Sequence, residues 1–200
     1  MENRKRLIFI FIVIVSSIFV DQVSKYIVSQ TIKFSPPKEY LGGFFVLKYA
    51  ENTGAMLGFG SDLPESVRFW FLTVFVGVML IVLLSYLILN RDFTKAQSLG
   101  LALIASGGIS NFVDRAINNG RVVDFMHMDS GYGWVKTGIF NFADVSIMIG
   151  LGIMILWGDW REKHSAKEES DIDNEPNLIG NSQSDNPYEM PEDKLPQKDS

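Results

Sequence analysis

The stretch VRFWFLTVFVGVMLIVLLSYLIL, residues 67–89, decides the fold. After Arg68 it carries no charged side chain. It is long enough to cross a bilayer, whose apolar core takes about 20 helical residues. A backbone in hydrocarbon must satisfy its own hydrogen bonds, which leaves helices or closed barrels, and an unbroken apolar run of this kind is helical. Three more apolar segments flank it. LIFIFIVIVSSIFV (7–20) follows the basic start MENRKR, SLGLALIASGGISNFV (98–113) is rich in small residues, and IFNFADVSIMIGLGIMILWGDW (139–160) begins polar and ends apolar. The expectation is an all-α integral membrane protein with four transmembrane helices.

The first segment also has the form of a cleaved secretory signal. No small-x-small cleavage site follows it, however, and FVDQVSKYIV continues in a helix-compatible pattern. A retained span over residues 7–28 is therefore expected.

Charge supplies the orientation. The formal net charge of −5 is unevenly spread: residues 1–160 hold 13 Lys and Arg against 12 Asp and Glu, and residues 161–200 hold 5 against 11. Positive residues mark the cytoplasmic side. Arg4, Lys5 and Arg6 precede the first span, Arg91 and Lys95 lie in the link between the second and third, and Arg161, Lys163 and Lys167 follow the fourth. Four spans put these three clusters on one face, with both termini cytoplasmic and loops 29–66 and 115–138 outside. In the first outer loop, EYLGGFFVLKYAENTG has the β-branched and aromatic run of a short strand or hairpin, so a small β-rich extracytoplasmic element is expected there. Trp70, Phe71, Trp157 and Trp160 sit where interfacial anchors belong. Residues 1–160 form the membrane domain. The acidic tail, 161–200, has few large apolar side chains and is expected to be disordered.

The chemistry is narrowed by what the chain lacks. With no Cys there is no disulfide, thiol nucleophile or Cys-bound metal. His127 and His164 are too far apart for a zinc motif of the H-E-x-x-H type. No metal and no cofactor are expected.

Polar residues gather at the outer ends of the helices. Asp21, Gln22 and Lys25 end the first span, Asn111, Asp114 and Arg115 end the third, and Asn141 and Asp144 open the fourth. Spacings of three or four residues put each group on one helix face. Asp21 has Lys25 and Asp114 has Arg115 at hand for simple ion pairing. Asp144 in FNFAD has no cation within a turn, and Arg121 is near Asp124 but a strand-like VVDF would put the two on opposite faces; yet ionisable groups at membrane depth are costly and usually face a cavity or bundle interior. Two carboxylates in one partly dry site share a proton. One can then deprotonate water while the other protonates a leaving amine, which hydrolyses a peptide bond without thiol or metal. Asn52, Asn111 and Asn141 could position substrate amides.

DQVSK (21–25), NTGAMLGFG (52–60), GGISNFVDR (107–115), GRVVDF (120–125) and FNFAD (140–144) resemble, in order, the sequence boxes of lipoprotein signal peptidase, the bacterial type II signal peptidase. The resemblance covers residues 5–160. It implies an aspartic endopeptidase of the bacterial cytoplasmic membrane, multi-pass, with its active site at the outer face. Its substrates would be diacylglyceryl-modified prolipoproteins, cut just before the lipidated Cys. By this matching Asp124 and Asp144 are the catalytic pair. Asn52, Asn111, Arg115 and Asn141 line the substrate site, with Asp21, Lys25 and Asp114 in support. Gly107 and Gly108 would let the signal-peptide helix approach closely. Membrane lipids are the other expected partners; nucleic acid is not, and a monomer is expected.

Two other readings compete. A small proton-coupled membrane carrier could use Asp114, Asp124 and Asp144 as a relay, but the inner halves of the spans lack acids and no inverted repeat is visible. A Ser-Lys peptidase could use SPPK (35–38), but two prolines in a polar loop are a poor setting for a desolvated Lys38. The Gly54/Gly58 spacing lies outside any apolar 20-residue stretch and reads as a turn.

Overall fold

The computed structural model describes residues 3–54, 62–131 and 136–173, of which 158–173 by backbone alone. The chain is mostly helical, with a small sheet. Helix α1 runs Asn3–Thr31, α2 Glu65–Leu89, α3 Lys95–Ile117 and α4 Phe142–Asp173. The first three are long and apolar enough to cross a membrane; the apolar part of α4, Phe142–Trp157, is shorter. Apolar side chains such as Phe11, Phe19, Ile81 and Ile155 point outward, as they do where the surrounding medium is lipid. Met1–Arg161 forms one compact unit and Glu162–Ser200 a second. Helix α4 continues past residue 160, where the sequence reading begins the tail, and the expected tail residues 174–200 lie outside the described residues. So do residues 55–60 of the NTGAMLGFG box, Gly58 among them.

Small residues bring the helices together. A side chain at Gly107 would run into the backbone of Ala143, and Gly100 and Gly150 face one another across the same α3–α4 seam. Gly108 receives the side chain of Leu80, and Gly77 that of Phe112, which seat α2 against α3. The expectation that Gly107 and Gly108 leave room for a substrate helix is therefore corrected: the protein's own helices fill both positions. Three serines tie α1, α3 and α4 at one depth, with Ser106 Oγ donating to Ser17 Oγ (2.9 Å) and Ser17 and Ser146 hydroxyls 2.9 Å apart. Hydroxyl bonds of this kind hold membrane helices that have no water to exclude.

At one end of the bundle, buried Arg6 of α1 clasps the last turn of α2. Its guanidinium donates to the carbonyls of Leu87 (3.0 Å), Ile88 (2.9 Å) and Asn90 (2.8 Å). A cation there satisfies carbonyls that no helical N–H can reach and opposes the negative end of the helix dipole. Thr94 and Gln97 then start α3 with a reciprocal capping box.

The opposite end carries the sheet. Strands β1 (Lys38–Tyr40), β2 (Phe45–Asn52) and β3 (Val122–Met128) pair antiparallel in that order. The β element is thus not confined to the segment between α1 and α2, where it was expected: β3 comes from the segment between α3 and α4. A two-stranded hairpin is marginal alone, and β3 completes it while burying Phe125 and Met126 against Val28 and Ile32 at the end of α1. Asn119 and Gly120, both with positive φ, turn the chain from α3 into β3; Gly takes such angles without strain.

Candidate active site

The register of the sheet assembles the site. Asp124 lies opposite Ala50, and Asn52 opposite Val122, so Asn52 and Asp124 are diagonal neighbours on one face, within side-chain reach. Asn52 Nδ2 donates to Asp124 Oδ2 at 2.9 Å, and its own Oδ1 accepts from Gly54 N at 2.9 Å.

The second carboxylate arrives through the chain before α4. Phe140 pairs with Met126 in both directions, its N donating to Met126 O (2.8 Å) and its O accepting from Met126 N (2.9 Å). That pairing holds residues 139–141 to the sheet, so the fourth helix begins at Phe142 rather than at 139 as expected. Asn141 becomes the helix cap. Its Oδ1 accepts from Asp144 N (3.0 Å), and Asp144 Oδ2 accepts from Asn141 N (3.3 Å). Asp144 is therefore in the first turn, where a carboxylate is favoured by the free N–H groups. Asn141 Nδ2 meanwhile donates to Asp124 Oδ1 at 2.6 Å. One asparagine thus joins both aspartates, 1% and 8% exposed.

Asn111 links this pair to the helices behind it. Its Nδ2 donates to Asp144 Oδ1 (3.0 Å), and its Oδ1 accepts from Lys25 Nζ (2.9 Å). Lys25, 3% exposed, spends its other two protons on Asp21 Oδ2 (2.6 Å) and Asp114 Oδ2 (2.8 Å). Asp21 also accepts from Ala143 N in the first turn of α4 (2.8 Å), and Asp114 from Val123 N in β3 (3.3 Å). Asp21 thus fixes α4, and Asp114 fixes β3, relative to one buried cation.

Asp114 was expected to pair with Arg115. Adjacent helical residues do not share a face, and Arg115 turns away, donating to Gly54 O (2.9 Å) and Asn111 O (3.4 Å). Arg121 likewise serves Glu51 (2.8 Å) rather than Asp124. Gln22 and Ser110 were not assigned to the site, yet they close the network: Gln22 Nε2 donates to Asp114 Oδ1 (2.9 Å), and Ser110 Oγ to Asp21 Oδ2 (2.7 Å). The spacing Ser110–Asp114, one helical turn, was the available signal. Gly108 takes no part beyond packing against Leu80.

Each described hydrogen bond to Asp124 and Asp144 comes from an amide, neutral in charge. Burial pushes the Asp124 carboxyl up to about 7; the hydrogen bond from Asn52 opposes this and the charge of Asp144 reinforces it. At neutral pH Asp124 therefore exchanges a proton, the condition a group needs for acid–base work. Among the described residues no cluster of His, Asp and Glu is arranged to hold a metal ion.

Three comparisons bear on identity. Residues 12–158 match the model of a family described as signal peptidase (SPase) II. The lipoprotein signal peptidase of Borrelia turicatae is 34% identical over 160 residues, covering 78% of this chain and 92% of that one. That of Borreliella burgdorferi is 32% identical over 151 residues, covering 74% and 88%. A solved structure described as a bacterial membrane enzyme at 2.3 Å superposes with a TM-score of 0.63 at 26% identity, covering 84% of this chain and 93% of the other. A second, at 1.9 Å, gives 0.61 at 28% identity, covering 74% and 90%. All five sequence boxes fall within the matched residues 12–158, and the chain belongs to the signal peptidase II family.

Proposed function

We propose that this chain is an intramembrane aspartic endopeptidase that removes the signal peptide from diacylglyceryl-modified prolipoproteins, cutting before the lipidated Cys. The observation that carries the reading is the pair of buried aspartates joined by Asn141, with amide donors and no bonded cation among the described residues, at the sheet-bearing end of the bundle. A cation on either carboxylate would hold it ionised; amides leave it free to take and return a proton.

In the proposed reaction one aspartate removes a proton from water as its oxygen attacks the scissile carbonyl. The other donates a proton to the departing amine as the C–N bond breaks. Asn52 and Asn141 hold Asp124 in place, and Asn111 and the Asn141 backbone hold Asp144. Asp21, Lys25 and Asp114 fix the helices and strand that carry the pair. Arg115, at the mouth, is available to substrate carbonyls. The sheet-bearing end is outermost and both termini are cytoplasmic, which puts the aspartates at the depth where a lipid-anchored Cys sits. Residues 1–160 form the catalytic body, the chain acts as a monomer, and the acidic tail lies on the cytoplasmic side.

The test is a gel-shift cleavage assay in lipid, comparing diacylglyceryl-modified and unlipidated prolipoprotein. The parent should cut only the lipidated form, and Asp124→Asn and Asp144→Asn should each abolish cleavage while inserting and melting as folded proteins. Near-parental cleavage by either variant would remove that residue from the dyad. A well-folded parent that cuts neither substrate would sink the reading.

A further inference from the structure

A cavity of about 560 Å³ opens beside the candidate site without including either Asp124 or Asp144, and of its described lining residues the proposed hydrolysis uses Arg115 alone. Arg68 at the start of α2, Arg115 near the end of α3 and Arg121 before β3 all line it, with Glu65 the one carboxylate among its described lining residues and Glu51 paired to Arg121. Three guanidiniums thus converge from three parts of the chain. Arg115 gives Nη2 to Gly54 O, and Arg121 gives Nη1 to Glu51 Oε2. A guanidinium has five N–H donors, so Arg115 and Arg121 keep donors for a further acceptor beyond these bonds. Planar forks of this kind fit the oxygens of a phosphate group.

The rest of the setting points to a membrane source. Phe69 is an apolar wall of the cavity and is 53% exposed. It opens the aromatic run Phe69–Phe75, with Trp70 and Phe71 exposed on the following positions. Such aromatics mark the level of lipid headgroups, and basic pockets between membrane helices bind anionic headgroups. We propose that this cavity binds the phosphate of an anionic phospholipid, with Phe69 against its glycerol and upper acyl chain. A dissolved phosphate ester shares the same chemistry, and a test must separate the two. The proposal holds whichever reaction the aspartates perform.

The experiment is native mass spectrometry of the full-length protein released from detergent micelles. The micelles would be doped with phosphatidylglycerol or with phosphatidylcholine of the same chains. The parent should retain phosphatidylglycerol at roughly tenfold lower lipid concentration, about what one charge-assisted hydrogen bond confers. Arg68→Gln should bring phosphatidylglycerol down to the phosphatidylcholine level without changing the latter. Arg121→Gln is the second variant, on a separate element, should the first fail to fold. Inorganic phosphate at the same concentration should leave retention unchanged. Equal retention of the two lipids by the parent, or undiminished phosphatidylglycerol retention in a folded Arg variant, would overturn the proposal. Displacement by inorganic phosphate would overturn the lipid assignment in favour of a soluble ligand.

Discussion

Replacing Asp124 with Asn should flatten the dependence of this protein's stability on pH. In the folded chain the carboxyl is pushed from 3.8 to about 7, first by burial. In the unfolded chain it titrates near its ordinary value. Between those two values the folded chain holds more protons than the unfolded one, so stability must fall as pH rises through the window. The full shift corresponds to about 4 kcal/mol, at about 1.4 kcal/mol per unit. At about 2–4 °C per kcal/mol for a chain of this size, the parent should lose on the order of 10 °C in Tm between pH 4 and 7 through this one group. Asn has no such titration. Its amide would, however, set an N–H donor against the amide of Asn52 or Asn141, which donate to the two oxygens of Asp124. That mismatch costs about 1–3 kcal/mol and does not depend on pH. The variant should therefore melt below the parent at pH 4 and above it at pH 8, and the two curves should cross. Thermal melts followed by tryptophan fluorescence in a non-ionic detergent would show this. Parallel curves would mean that Asp124 is ionised throughout, and the argument from burial would be wrong.

Other substitutions probe the frame. Lys25→Met leaves Asp21 and Asp114 without their shared cation and should cost about 3–5 kcal/mol, read as loss of folded protein in urea titrations; adding Asp21→Asn and Asp114→Asn should recover part of it. Gly107→Val places a side chain into the backbone of Ala143 and should cost about 1–3 kcal/mol or more, whereas Gly152→Ala, with open space around it, should melt like the parent. Arg6→Gln removes donors from the carbonyls of Leu87, Ile88 and Asn90 and should cost about 1–3 kcal/mol. Cleavage at saturating substrate should be little changed, because Arg6 is at the other end of the bundle.

The spans were legible because length and hydrophobicity are local properties, and Asp124 and Asp144 stood out because Asp144 has no cation within a turn and strand alternation turns Arg121 away from Asp124. What stayed hidden depends on contacts between distant segments. Strand β3 is revealed by its pairing with β2, seventy-odd residues earlier. The start of α4 is displaced to Phe142 because Phe140 is held by Met126; the apolar pattern of 139–160 alone gives no sign of that. Asp114 looked paired with Arg115 because they are neighbours in sequence, but neighbours on a helix diverge, and Lys25 of another helix occupies the place. Gly107 and Gly108 were correctly read as points of close approach, yet a glycine does not say what approaches it.

The three-serine tie and the Arg6 clasp together have a mechanical consequence. Ser17, Ser106 and Ser146 fasten α1, α3 and α4 to one another. Helix α2 is fastened by Arg6 at its far end, and along Gly77 and Leu80 it meets α3 by carbon contacts that can slide. The polar fastening is thus at the Leu87 end, and the π-helical turns Phe69–Phe75 lie at the other. Spin labels pairing Phe71 with α4 should report a broader distance distribution than labels pairing Leu89 with α1, and equal widths would mean that α2 is held fast at both ends.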